Sequence, residues 1–326
     1  MKSTPDIFGP VLSRRLGFSL GLDIIPFKTC SLDCVYCQLG TTASFTVRRR
    51  PFVKAEELLS AVAARLSRGD EIDWITFSGS GEPTLNSELG NMIRGIKAIT
   101  PIPVAVITNS TLLDRPGVRK EIAAADLVVP SLDAGTKEVF QKINRPYSNL
   151  TLEKITRALA DLTREGGCRV WLEVMLVPGI NTKEGELEAI AERIKLIGPE
   201  MVQLNTPVRP PAEAGIKALS PARLEKAAVF LAERVAPIPV EVIGSARRPA
   251  RHQGELSASS SELAEFLQRR PATLDELEVV TGRNRAELLK RLASLMESGL
   301  VVARFKGKKR YFAWRRPGKD SVIRDR

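Results

Sequence analysis

Six apolar runs alternate with helical stretches along most of this chain, and that alternation leaves few folds open. The runs are 20–28 (LGLDIIPFK), 73–84 (DWITFSGSGEPT), 103–109 (PVAVITN), 126–133 (DLVVPSLD), 169–179 (RVWLEVMLVPG) and 201–208 (MVQLNTPV). Between them, 54–68 places Leu58, Leu59, Val62 and Leu66 at helical spacing. Further helices are expected over 88–99, 119–125, 151–165 and 184–197, two of them stopped by glycine at 166 and 198. Strands this apolar are covered on both faces, as in a parallel sheet. Right-handed crossovers then wind the sheet into a closed or partly closed barrel. Polar residues collect near the strand ends, at Ser78–Glu82, Thr108, Asn109, Ser131, Asp133, Glu173, Gln203 and Asn205. Side chains there face the mouth of a barrel, where barrel chemistry is done.

Three of the four cysteines stand within eight residues, as Cys30, Cys34 and Cys37 in C-x3-C-x2-C spacing. Four cysteines in a reducing compartment are not a disulfide framework, and such a cluster binds metal or does redox chemistry. A structural zinc site wants four ligands. Cys168 or the single histidine, His252, would have to supply the fourth, yet one sits beside an expected strand and the other in an expected linker. A 4Fe–4S cluster explains three cysteines directly, because its fourth iron stays open for a ligand. Arg48, Arg49 and Arg50 follow the loop, either as contacts to an anionic substrate or as a solvated run.

C-x3-C-x2-C with an aromatic residue, Tyr36, before the last cysteine resembles the radical S-adenosylmethionine (SAM) superfamily. The resemblance implies a partial, TIM-like (βα)6 barrel over roughly residues 15–240. It implies a 4Fe–4S cluster on Cys30, Cys34 and Cys37, and SAM on the open iron. Reductive cleavage of SAM to methionine and a 5′-deoxyadenosyl radical, which abstracts hydrogen from a substrate, is implied too, with no catalytic side chain assigned beyond cluster and SAM. The turn Ser78-Gly79-Ser80-Gly81-Glu82-Pro83 resembles the superfamily's Gly-Gly-Glu-Pro turn, with Ser80 in place of one glycine. Its glycines let backbone approach a ligand closely. Asn109, Ser131, Glu173 and Asn205, at the ends of the later strands, are candidate SAM contacts, each weighed against a polar side chain satisfied at the rim. The stretch 177–181 (VPGIN) is similar to the superfamily's fifth-strand turn. Residues 9–42, with SGSGEPTLN at 78–86 and NRP at 144–146, are similar to the branch related to wybutosine-synthesising tRNA enzymes. Those enzymes use a second iron–sulfur cluster. Only Cys168 remains here, so the resemblance carries the radical chemistry and not that particular reaction. An electron donor such as flavodoxin or ferredoxin is implied as a partner.

Composition changes near residue 244. The expected organisation is a barrel over 1–243, a linker over 244–257, a small α+β winged-helix domain over 258–316 and a basic tail over 317–326. Helices are expected at 260–269, 273–281 and 284–298, then two strands joined by a basic hairpin around Gly307. From Arg304 onward ten basic residues face two acidic ones, which places +8 of the chain's net +11 there. Such charge, with Tyr311, Phe312 and Trp314 beside it, points to nucleic acid, RNA or tRNA or DNA. A protein contact and a solvated face are the alternatives. No run of about 18 apolar residues is present, so no membrane span is expected. The first ten residues lack the apolar core of a signal peptide, and a cytoplasmic location is expected. Two rival readings stand beside the radical enzyme acting on RNA: a redox-sensing, DNA-binding iron–sulfur regulator, and a radical SAM enzyme acting on a protein.

Overall fold

The chain enters on an antiparallel hairpin of β1 (Asp6–Ser13) and β2 (Gly17–Asp23). The computed structural model describes residues 5–211, 213–243, 260–281, 283, 285–306 and 309–315. The chain divides into two units, Met1–Pro249 and Ala250–Arg326. The expected linker at 244–257, the tail at 317–326, His252, Gly307 and Lys308 lie outside the described residues.

After β2 the first unit continues through β3 (Thr29–Cys30), β4 (Ser44–Phe45), α1 (Ala55–Leu66), β5 (Trp74–Phe77), α2 (Leu89–Ile99), β6 (Val104–Thr108) and α3 (Pro116–Ile122). Then come β7 (Leu127–Pro130), α4 (Lys137–Ile143), α5 (Leu152–Glu165), β8 (Arg169–Met175), α6 (Glu184–Ile197), β9 (Met201–Asn205), α7 (Pro221–Val235) and β10 (Val240–Val242). Eight of these strands form one sheet in the order β1-β2-β5-β6-β7-β8-β9-β10. Only the β1–β2 pair is antiparallel; every other neighbouring pair runs parallel. The result is a mixed, singly wound α/β sheet of partial-barrel type.

All six apolar runs contribute a strand. The first strand is shorter than its run, since residues 24–28 leave the sheet for the thiols. Six of these elements were not expected, among them the two-residue strands β3 and β4. The edge strand β1 contains Gly9 and Pro10, which read as a turn, and β10 has only three residues. Two helices, α4 and α7, begin at Thr136 and Ser220, whose side chains accept from the backbone N–H groups of Val139 and Arg223.

Alternation along the strands separates two apolar layers. On the outer face Leu20, Leu22, Ile75, Phe77, Val104, Val106, Val128, Leu172, Val202 and Leu204 are buried together with the helices. On the inner face Ala105, Leu127 and Val129 pack with Leu16, from the turn between β1 and β2, against Trp74, Ile107 and Trp171. Leu16 is 3% exposed and stops the floor of the barrel. A side chain buried this way is worth about 1.5–3 kcal/mol.

The second unit contains α8 (Ser260–Arg269), α9 (Leu274–Thr281), α10 (Arg285–Glu297) and the hairpin β11 (Val301–Lys306) with β12 (Lys309–Trp314). The hairpin register runs from Val301↔Trp314 to Lys306↔Lys309. Ala272, between α8 and α9, exchanges two backbone hydrogen bonds with Phe312, at 3.0 and 2.7 Å. Leu263, Phe266, Leu267, Leu277, Leu288, Leu292, Tyr311 and Phe312 are buried.

Candidate active site at the mouth of the barrel

Past Asp23 the chain turns through buried Ile24 and Ile25 into the cysteine loop, and the glycine turn after β5 clamps it. The carbonyl of Ser80 accepts from the Lys28 N–H at 2.7 Å, and Glu82 N–H donates to the Thr29 carbonyl at 3.1 Å. Contact is so close that a Cβ on Gly81 would stand 2.1 Å from the Thr29 oxygen. Gly79 takes φ +153°, and a Cβ there would meet the Asp23 carboxyl group. Both positions therefore exclude a side chain. The serine that replaces a glycine has a use: Ser80 N–H donates to Asp23 Oδ2 at 3.0 Å, and its hydroxyl donates to the same oxygen.

Each cysteine sulfur receives one side-chain N–H. Asn109 Nδ2 donates to Cys30 Sγ at 3.3 Å, Asn144 Nδ2 to Cys34 Sγ at 3.4 Å and Lys28 Nζ to Cys37 Sγ at 3.1 Å. Asn109 also donates to Ser31 Oγ at 3.0 Å, and its Oδ1 accepts from Thr111. Burial first, then the nearby Glu82, pushes the Cys30 thiol up to about 12. Burial, then Asp133, pushes the Cys34 thiol up as well. These thiols ionise when a cation takes the place of the proton.

Two buried carboxylates brace this ring. Glu82 Oε1 accepts from the Thr84 N–H, the Thr84 hydroxyl and the Thr108 hydroxyl, and its Oε2 accepts from the Asn109 N–H. Burial raises the pKa of Glu82. Asp133 Oδ2 accepts from the Tyr36 hydroxyl at 2.5 Å and from Asn144 Nδ2 at 2.7 Å, while Oδ1 accepts from Met175 N–H at 2.9 Å. Burial pushes Asp133 up to about 6. Ser131 is bridged to Glu173 through the backbone, and its carbonyl accepts from the Ser110 hydroxyl.

Glu173 and Asn205 belong to a second network inside the barrel. Arg15 Nη2 lies 2.6 Å from Glu173 Oε2, Asn205 Nδ2 donates to Glu173 Oε1 at 2.8 Å, and Arg14 Nη1 donates to Asn205 Oδ1 at 3.1 Å. Burial alone raises the pKa of Glu173, but Arg15 and the Asn205 amide outweigh it and the net direction is down. Thus Cys30, Cys34, Cys37, Asn109 and the Ser78–Glu82 turn come together; Tyr36 joins them through Asp133. Glu173 and Asn205 bond each other and the arginines of the β1–β2 turn. Arg49 is a clamp, held on Glu121 and on the carbonyls of Thr84 and Asn86. Arg15, Asp23 and Lys28 fall within the stretch 9–42 and Asn144 within NRP at 144–146, but neither stretch assigns them a role.

Among the described residues no group of three His, Cys, Asp or Glu side chains is placed to hold a single metal ion. One ion gathers its sulfurs at about 2.3 Å, whereas a 4Fe–4S cluster spreads three thiolates over three irons. Three partly exposed cysteines in one loop, each with an N–H donor on its sulfur, fit such a cluster.

The model of the radical SAM superfamily matches residues 24–194. A protein of Brachyspira hyodysenteriae named GTPase Obg is 36% identical over 298 residues, which cover 91% of this chain and 43% of that protein. A UPF0026 protein of Methanocaldococcus jannaschii is 40% identical over 212 residues, 64% of this chain and 66% of that one. The chain thus spans less than half of the first relative and just under two thirds of the second. Among solved structures, a radical SAM methyltransferase from Sphaerobacter thermophilus superposes with a TM-score of 0.52 at 22% identity, over 69% of this chain and 66% of that one. That likeness is one of fold.

Proposed function

From the premise that the chain belongs to the radical SAM superfamily, we propose that it is an enzyme that cleaves SAM reductively and takes a hydrogen atom from an RNA substrate. The observation that carries the chemistry is the convergence of Cys30, Cys34 and Cys37 with the Ser78–Glu82 turn at one end of the parallel sheet. Cys30, Cys34 and Cys37 would hold a 4Fe–4S cluster, which would supply the electron for reductive cleavage of SAM.

The chain's own residues then have distinct tasks. Gly79 and Gly81 let the turn close on Asp23 and on the cysteine loop, and SAM would lie along the turn's remaining backbone. Tyr36, Ser78, Ser80, Glu82, Asn109, Ser131, Glu173 and Asn205 complete the proposed SAM site. Glu82 serves by fixing Thr84, Thr108 and Asn109, and Asn109 approaches from the cluster side. Glu173 is held ionised by Arg15, so it accepts hydrogen bonds and does not deliver a proton.

RNA is favoured by the second unit, read as a winged helix over 258–316. Residues 298–319 contain no acidic side chain, and the sequence there holds Arg304, Lys306, Lys308, Lys309 and Arg310. In α10 the arginines are spent locally: Arg285 on Asp275 and Glu278, Arg291 on Glu287, with Arg283 also on Glu287. A DNA-reading regulator needs such a helix free for base edges. Contact through hairpin cations suits phosphate binding instead. The chain has no Gly-x4-Gly-Lys-Ser/Thr loop, and no GTPase activity is carried over from the Brachyspira relative.

Full-length protein, reconstituted anaerobically to about four irons per chain and reduced with dithionite, should release 5′-deoxyadenosine and methionine from SAM. A sample that holds its iron and releases neither would sink the enzyme reading.

A further inference from the structure

Lys28 is a buried lysine, 3% exposed, in the left-handed region at φ +53°. Non-glycine residues rarely hold that conformation, and those that do cluster at functional sites. Nothing in the backbone lets it relax. Its N–H is tied to the Ser80 carbonyl, and its carbonyl accepts from the N–H groups of Ala43 and Ser44, each at 3.0 Å. The side chain is thereby aimed at Cys37 Sγ, and its charge also reaches Cys30. A buried ammonium calls for an anion, and a neutral thiol is a poor one.

Two neutral donors repeat the pattern. Asn144, 3% exposed at the end of α4, shares its Nδ2 between Cys34 Sγ and Asp133 Oδ2. Asn109, at the end of β6, is fixed by Glu82 and Thr111 with its amide on Cys30 Sγ. The three donors lie in the loop ahead of the cysteines, after β6 and after α4. Three separate elements therefore deliver one side-chain N–H to each sulfur, and Cys30 Sγ also accepts from the Leu32 backbone N–H at 3.5 Å. Hydrogen bonds to cluster sulfurs favour the more negative, reduced state, and a charged donor is roughly twice as strong as a neutral one.

We propose that Lys28, Asn109 and Asn144 are positioning residues that set the reduction potential of the cluster on Cys30, Cys34 and Cys37, with Lys28 as its counter-cation. This rests on the cluster reading given above. The step concerned is a one-electron reduction by an external donor, dithionite in the test; the three side chains neither gain nor lose electrons.

The test is an anaerobic redox titration of the full-length, reconstituted protein followed by electron paramagnetic resonance, with iron counted on the same samples. Lys28→Met should keep its iron and lose about tenfold in the equilibrium constant for reduction, which is about 59 mV more negative for a one-electron couple. Asn144→Ala should move the same way by about threefold, and Lys28→Arg, which keeps the charge, should stay with the wild type. Iron-loaded Lys28→Met with an unmoved potential would overturn the proposal. Loss of iron in both Lys28 variants would also count against it, since the lysine would then be a prop of the loop. Iron lost in Lys28→Met alone, with an unmoved potential in Lys28→Arg, supports a requirement for the charge. Wild-type protein that takes up no iron overturns the cluster reading itself, an outcome distinct from all of these.

Discussion

The cysteine loop and the C-terminal hairpin each collect groups of one kind, and they treat them in opposite ways. In the loop every thiol has a donor assigned to it, drawn for Cys30 and Cys34 from residues 79 and 110 positions away. In the hairpin the cations are set against one another: Lys306 pairs across the strands with Lys309, and Phe305, 65% exposed, with Arg310. Like charges placed directly opposite weaken a hairpin. Asp275, Glu278 and Glu287 of that unit are engaged with Arg285 and Arg291. The contrast teaches that the loop gathers its polar partners from distant parts of the fold, whereas the hairpin brings like charges together across neighbouring strands.

The largest expected effect would break the first half of that contrast. Cys34→Ala should reduce reconstituted iron from about four per chain to background, because Cys30 and Cys37 would be left without a third thiol in the loop. Retention of the full iron content would mean that the loop does not hold it.

Next comes the inner network, which asks whether tight assignment reaches below the mouth. Glu173→Gln strands the Arg15 guanidinium, and breaking a buried pair costs about 3–5 kcal/mol. Urea denaturation should show it. The pH dependence has a definite sign. Because the folded protein holds Glu173 below its ordinary value of 4.5, its contribution is present above that pH and is lost as the pH falls through the lower folded value. Wild type should therefore lose stability on acidification below about pH 4.5 more steeply than the variant. Parallel acid profiles would show that the pair is not the source.

A smaller effect tests the hairpin. Lys306, Lys308, Lys309 and Arg310 changed together to Ala should weaken tRNA binding by about tenfold at low salt and flatten its salt dependence. Filter binding at two salt concentrations measures both, and unchanged affinity would remove the outward role of the hairpin. The smallest effect is at Cys168, a lone thiol that burial pushes up to about 11. Cys168→Ala should leave iron and SAM cleavage as they are; iron loss there would redraw the ligand set.

The parallel strands were legible because burial on both faces writes continuous apolar runs into the sequence. Edge strand β1 was not, since one flank is open and Gly9-Pro10 imitates a turn. Helix α7 did carry a signal in Ser220-Pro221, a cap followed by proline at the first helical position. At the site, the cysteines could be read from spacing, as their role depends on a local loop. Asn109 and Glu82 could be picked out as polar groups at strand ends, but not their targets, which depend on how the loop folds back over the sheet. Lys28, Asn144 and Arg15 gain meaning only from partners brought near by the barrel.

The turn between β1 and β2 imposes a wait. Arg14 is made early, yet its partner Asn205 follows 191 residues later. At about 5–20 residues per second, synthesis leaves the turn without that partner for roughly 10–40 seconds. Leu16 lacks its inner-face neighbours on β6 and β7 for much of the same interval. The floor is therefore complete only once β9 has followed, and the β1–β2 turn settles long after it has been made.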